Sequence, residues 1–225
     1  MIGQAAFGQE PLWFTEFVQG PLWYVAAAVF VAGVLWRVIG LLALGRTADR
    51  SVPRESGLIG GVKAIVLHSV PHGGFLANTV FHVVAGYMFH LGLFALLLFA
   101  APHVDFIRDH VLGVGWTPMP DWAFILAAQI SFAGLILLWV RRLTDPVVRR
   151  LVDADDYVAS GLTFFVMLTG CFALQQASAL LAGIHMLMVD IWLIYFPFSR
   201  LMHAVTFVFS RYYTGAFYGR RGVTP

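Results

Sequence analysis

The chain has 225 residues, of which 60% are hydrophobic and only 12% charged, whereas soluble domains are about 45–50% apolar. Its mean hydropathy of +0.80 is typical of a membrane protein, and its length allows five or six membrane helices of about 20 residues each. The net charge of +2 gives no reason to expect a nucleic-acid partner, and the single Cys171 excludes an internal disulfide or an iron–sulfur cluster bound by this chain alone.

Five apolar runs predict five transmembrane helices. In chain order, they are Leu22–Leu44, Phe75–Ala101, Trp122–Val140, Tyr157–Leu181 and Ile184–Phe209. Gly183 is predicted to form a tight turn between the last two runs. Because the chain has neither an internal repeat nor a low-complexity linker, we expect an all-α integral membrane bundle in which residues 1–225 form a single domain.

Cationic residues fall in alternate connections and predict the orientation of the helices. They follow the first run, the third run and the fifth run: Arg46, Arg50, Arg54 and Lys63; Arg141, Arg142, Arg149 and Arg150; Arg211, Arg220 and Arg221. By the positive-inside rule these segments are cytoplasmic. We therefore predict a multi-pass protein of a bacterial or archaeal cytoplasmic membrane, surrounded by lipid, with its N-terminus outside and its C-terminus in the cytoplasm.

Four histidines within the apolar runs are the main candidates for a functional site, because such residues are costly at membrane depth. His185 and His203 are 18 residues apart, so a continuous helix would place them on one face about 27 Å apart. His82 and His90 are eight residues apart on the second run. Neutral imidazole is a common axial ligand of heme iron. This pattern predicts an outer heme bound by His90 and His185 and an inner heme bound by His82 and His203.

Spacing alone leaves other interpretations open. Intramembrane histidines also pack through hydrogen bonds, relay protons or bind metal, as in a non-redox transporter or anchor. His72 is 18 residues from His90 and is a further candidate on the second run, although a helix is expected only to begin beside Pro71. His103 and His110 lie outside the runs and are predicted to be surface loop residues.

Three stretches resemble the gamma subunit of respiratory nitrate reductase and related membrane di-heme cytochromes b. The most specific is FPFSRLMH, Phe196–His203, which is preceded by His185 at the family's distance. Asn78–His82 is similar to the segment that carries the family's inner ligand, and Pro21–Gly40 is similar to its first helix. The resemblance covers nearly the whole chain.

This resemblance implies two heme b groups, with His82 and His203 as the inner ligands and His185 as one outer ligand. Both hemes would be non-covalent, because the chain has no CxxCH motif. The family places its second outer ligand ten residues after the first, where this chain has Gly92. His90, two positions earlier, is our prediction for that ligand.

Three arginines are candidates for pairing with heme propionates, because guanidinium matches carboxylate bidentately. Arg37 and Arg200 are predicted to do so. Arg211 is as well explained by cytoplasmic anchoring. A further departure from the family is the stretch WTPMPDW, which has Asp121 and no lysine where nitrate reductase gamma subunits carry one near the quinol site.

The function implied by the resemblance is electron transfer. Electrons from quinol or menaquinol would pass through the two hemes to a cytoplasmic iron–sulfur subunit, and a separate catalytic subunit would carry the terminal reaction. No catalytic residue is predicted in this chain. The same cytochrome in a sulfur-metabolising, heterodisulfide reductase-like complex, or coupled to a periplasmic cytochrome, remains an alternative.

Overall fold

A computed structural model describes residues 12–44, 52–69, 76–174 and 178–223. Within these ranges the chain is helical and contains no strand. Five helices are long and apolar enough to cross a membrane: Trp13–Ala43, Thr79–Phe99, Asp121–Thr144, Ala154–Leu174 and Ala179–Phe198. The all-α fold and the predicted number of five spans are thus confirmed, and the chain is a multi-pass membrane protein.

The described ranges contain ten α-helices. They are α1 Leu12–Phe17, α2 Trp23–Ala43, α3 Gly57–Leu67, α4 Leu76–Phe99, α5 Ala101–Ile107, α6 Asp121–Thr144, α7 Pro146–Leu151, α8 Ala154–Leu174, α9 Ala179–Tyr195 and α10 His203–Gly219. A π-helical turn, Val18–Leu22, joins α1 to α2 without a break. Because α1 is continuous with α2 in this way, the first span begins earlier than the apolar run predicted.

The outward faces of the spans are apolar. Trp36 on α2 is 78% exposed and Trp122 on α6 is 69% exposed, together with many Leu, Val and Phe side chains. Soluble proteins rarely expose so much continuous apolar surface, whereas lipid covers it without cost. The backbone groups of such spans are satisfied within each helix, as hydrocarbon requires.

The prediction of one continuous fifth helix over Ile184–Phe209 is wrong. α9 and α10 are separate helices, joined by two short 3-10 turns. Pro197 causes the break, because it has no backbone N–H and its ring clashes with the carbonyl four residues earlier. Ser199 is extended, with φ −121° and ψ 177°, and its hydroxyl accepts the N–H two residues later at 3.2 Å. His185 and His203 therefore do not lie along one face of a straight helix.

The predicted turn at Gly183 is also wrong. Gly183 is buried inside α9, where a Cβ would lie 2.9 Å from the ring of Phe14. α8 ends at Leu174, and α9 begins at Ala179. The turn was misplaced because apolar residues continue through the start of α9, so hydropathy does not mark the end of the fourth span.

The described chain forms two compact units, of which unit 1 is drawn from Met1–Val29 and Val84–Tyr195. Within it α4 packs closely on α6. A Cβ at Gly92 would lie 2.7 Å from both the carbonyl oxygen of Ala127 and the Cβ of Ser131. Ser131 is fully buried, and its hydroxyl donates to a carbonyl of α4 at 3.0 Å. Small residues allow this approach, as is usual between membrane helices.

Unit 2 is drawn from Phe30–Val83 and Phe196–Pro225, and its main contact is between α3 and α10. A Cβ at Gly60 would lie 2.9 Å from the Cα of Gly219, and a Cβ at Gly215 would collide with Ala64. Gly215 and Gly219 are four residues apart, as in small-xxx-small helix contacts. The residues that follow the fifth predicted run at Phe209 are therefore largely part of a helix packed on α3.

Gly215→Ala should destabilise unit 2, because the added methyl group has no space beside Ala64 and overpacking costs about 1–3 kcal/mol. The matched control is Gly40→Ala in α2, where nothing lies within 4 Å of the added Cβ. We expect this control to be neutral or stabilised by up to about 1 kcal/mol through helix propensity. Thermal unfolding of the purified variants in detergent tests both, and a Gly215→Ala chain that melts at or above the parent would contradict the close contact.

Candidate functional site

The predicted site residues divide between the two units. Unit 2 contains four of them, all exposed: His82, His203, Arg37 and Arg200. Unit 1 contains His90 and His185, both half-buried. Each predicted ligand pair therefore falls within a single unit. His72, the alternative ligand, lies outside the described residues.

Backbone carbonyl groups orient two of these rings. His90 Nδ1 lies 2.7 Å from the carbonyl oxygen of Gly86, and His203 Nδ1 lies 2.7 Å from that of Arg200. Because a carbonyl oxygen can only accept, Nδ1 carries the proton, and in the neutral ring Nε2 carries the lone pair. Metal-bound histidines commonly use this arrangement, in which the second ring nitrogen donates to a carbonyl or a carboxylate.

A hydroxyl group of the neighbouring helix orients His185. Thr169 on α8 donates to the carbonyl of Phe165 at 2.8 Å, and its oxygen lies 3.2 Å from His185 Nδ1. Since the hydroxyl proton is used in that first bond, the His185 Nδ1–H donates to the threonine oxygen. Gly170 gives the ring its space, because a Cβ there would lie 3.0 Å from His185 Cε1.

His103 is not the surface loop residue that the sequence predicted. It is half-buried on α5, and its ring centre lies 6.2 Å from that of His185, with the ring planes inclined by 28°. Its Nδ1 lies 3.0 Å from the carbonyl oxygen of Leu96. The prediction failed because α5 has only seven residues and lies outside the apolar runs. The order of the spans was the available signal. Successive spans cross the membrane in opposite directions, so the second span ends on the side of the membrane where the fifth begins. His110, by contrast, is exposed as predicted.

Position 92 is closed to any side chain. This is the position at which the resembled family carries its second outer ligand, and here α6 occupies the space beside Gly92. Any larger residue would meet the Ala127 carbonyl and Ser131. The packing of α4 on α6 is therefore a structural reason for a glycine at position 92.

Asp190 is a buried carboxyl group that the sequence analysis did not single out. It lies on α9 with 0% exposure, and among the described residues neither of its carboxyl oxygens has a hydrogen-bond partner. An ionised carboxylate in such surroundings is very costly, so we expect a neutral group. The signal was present in the sequence, because Asp190 is the one acidic residue in the run Ile184–Phe209.

Among the described residues, no three or more His, Cys, Asp or Glu side chains come together as possible ligands of a metal ion.

Comparison with known proteins extends over nearly the whole chain but assigns no activity. No protein-family model matches the chain. A protein of Nitratidesulfovibrio vulgaris (strain Hildenborough) is 29% identical over 216 residues, which cover 92% of this chain and 94% of that protein. Its name, "Protein", states no function. The two chains are thus similar in length as well as in sequence.

Asp190→Asn should fold at least as stably as the parent, because an amide keeps the shape of the side chain and carries no charge into the membrane. Thermal unfolding in detergent at pH 7 and pH 8 measures the effect. Asp121→Asn, an exposed position at the start of α6, is the control and should change stability by less than about 1 kcal/mol. A clear loss of stability in Asp190→Asn alone would indicate an ionised, paired carboxylate.

Proposed function

We propose that this chain is a membrane di-heme cytochrome b, a subunit of a respiratory oxidoreductase complex. It would transfer electrons between quinol or menaquinol and a cytoplasmic iron–sulfur subunit, with the terminal reaction on a separate catalytic subunit. One observation carries the proposal: the predicted histidine ligands divide into two groups, and the described hydrogen bonds of His90, His185 and His203 all use Nδ1. In each neutral ring that tautomer puts the lone pair on Nε2, the nitrogen that would ligate iron.

His203 and Arg200 support an inner heme in unit 2. The turn that contains Arg200 ends where His203 begins α10, and the Arg200 carbonyl accepts the His203 Nδ1–H. The exposed Arg200 and Arg37 are the propionate partners in this proposal, because guanidinium binds carboxylate in a fixed geometry. Arg211 is better explained by packing, since it donates to Ser69 at 2.7 Å.

The heme groups would supply one-electron chemistry, and the chain supplies axial ligands and an apolar environment that tunes them. Quinol is the proposed donor, although the lysine of the resembled family is replaced by an exposed Asp121 at the start of α6. A periplasmic cytochrome is the alternative donor for the same subunit. Reduction of the purified chain by a menaquinol analogue distinguishes the two donors.

We propose that the N-terminus is outside and the C-terminus cytoplasmic. In support, the connection between α4 and α6 has one cationic residue, Arg108, which pairs with Asp105 at 3.0 Å and Asp109 at 2.8 Å. The hydrogen bond from Arg108 lowers the pKa of Asp109, so the Arg108–Asp109 pair remains ionised and contributes no excess positive charge. Arg149 and Arg150 on α7 are exposed, which fits a cytoplasmic face that an iron–sulfur subunit contacts.

The purified chain should contain about two non-covalent hemes, measured as pyridine hemochrome against protein concentration. His203→Ala and His185→Ala should each retain about one heme, because each removes an axial ligand from a different group. His110→Ala, an exposed position, is the control and should retain both. A parent chain with no heme, or with a covalent c-type spectrum, would contradict the proposal and favour the non-redox alternative.

A further inference from the structure

We infer that α3 is inserted in the lipid of one membrane leaflet without crossing the membrane, in addition to the five spans. The feature that carries this inference is an exposed aliphatic face on a helix that is too short to span. Four side chains, each between 53% and 66% exposed, form this aliphatic face: Leu58, Ile59, Val62 and Val66. Its proposed occupant is the acyl-chain region of anionic phospholipids.

The aliphatic face points away from α10, the helix on which α3 packs. Gly61 and Ala64 are the buried residues of α3. A Cβ at Gly61 would lie 2.6 Å from the ring of Tyr212 on α10, and Ala64 lies against Gly215 of the same helix. Because successive residues of an α-helix are about 100° apart, Val62 and the other aliphatic residues lie on the side opposite to this contact.

This arrangement is the reverse of the one that water favours. A helix that packs in water turns its large apolar side chains toward its neighbour and exposes its polar ones. α3 instead buries glycine and alanine and exposes leucine, isoleucine and valine. Contacts between small residues, with aliphatic side chains turned outward, are typical of helices in lipid, because lipid tails are as apolar as leucine.

The length and position of α3 place it at a membrane surface. Its 11 residues extend about 16 Å, roughly half the thickness of the hydrocarbon core. Its partner α10 begins at His203, and only residues 199–202 separate α10 from the last span, which ends at Phe198. Since successive spans cross in opposite directions, the connection that contains α3 and the tail that contains α10 lie on the same side, which agrees with their contact.

The two ends of α3 have hydrogen-bond partners within the protein. At the start, the Ser56 hydroxyl accepts the Ile59 N–H at 3.5 Å. At the end, the Ser69 hydroxyl donates to the Ile65 carbonyl at 2.9 Å and accepts a bond from Arg211 at 2.7 Å. A membrane-inserted helix needs such partners, because hydrocarbon supplies none.

Cationic residues of the α3–α10 pair match the charge of anionic headgroups. Residues 52–69 and 203–223 contain one acidic residue, Glu55, and five cationic residues: Arg54, Lys63, Arg211, Arg220 and Arg221. Arg54 and Lys63 are exposed. Long cationic side chains reach from an inserted helix back to the headgroups, and anionic lipids of the cytoplasmic leaflet attract them. The aliphatic face and the surrounding cations together fit a leaflet of anionic lipid.

Thiol accessibility in lipid tests the insertion of α3. Val62→Cys is made in a full-length chain that carries Cys171→Ser and is placed, one chain per disc, in nanodiscs of phosphatidylethanolamine and phosphatidylglycerol. A charged maleimide reacts only with a thiol that reaches water. We expect it to label Val62→Cys at least about tenfold more slowly than Asp109→Cys, because the reactive thiolate does not form in lipid. Asp109 is exposed in the connection between α4 and α6.

The lipid control is Ile136→Cys, because Ile136 is 47% exposed within the span α6. Its labelling should be as slow as that of Val62→Cys. Labelling of Val62→Cys at the rate of Asp109→Cys would overturn the inference and indicate a face open to water and to a soluble partner.

Photocrosslinking identifies what covers the aliphatic face. Benzoyl-phenylalanine in place of Val62, in vesicles of the same two lipids, should form adducts with phospholipid, as the same residue should in place of Ile136. Lipid adducts at position 136 and none at position 62 would overturn the inference. Crosslinks at position 62 to a second copy of the chain, without lipid adducts, would overturn it in favour of an interface between copies.

Discussion

Inside a lipid bilayer each hydrogen-bonding group must find its partner within the protein, because hydrocarbon offers none. Four imidazole rings of this chain are held in the same way, and two of them, His90 and His185, lie on the described spans. His90, His103 and His203 use Nδ1 to bond a backbone carbonyl, and His185 uses Nδ1 to bond the Thr169 hydroxyl. The constraint thereby selects one tautomer, in which Nε2 is the nitrogen able to bind iron.

Two glycines and one proline determine where these rings lie. Pro197 ends α9 and separates the helix of His185 from the helix that His203 begins. Gly170 gives space to the His185 ring, while Gly92 allows α6 to pack closely on α4. The arrangement of candidate ligands is therefore a consequence of helix packing and helix termination as much as of the histidines themselves.

The spans could be predicted because each is a run of apolar residues of the length that a membrane requires. The histidines on those runs could be singled out for the same reason, since a polar ring contrasts with its apolar neighbours. The helix break between His185 and His203 was indicated by Pro197, but an apolar run on both sides concealed it. The contact of His103 with His185 could not be predicted, because residues 82 positions apart are brought together only by tertiary packing.

The central claim is that this membrane protein carries two redox centres, each held by a separate group of histidines. A spectroelectrochemical titration of the purified chain measures this directly. The account predicts Soret and α bands that respond in two one-electron steps of about equal amplitude, as two hemes b require. It also predicts that His203→Ala loses one step and leaves the other at its original potential. A chain without these bands, or a single step that His203→Ala leaves unchanged, would contradict it.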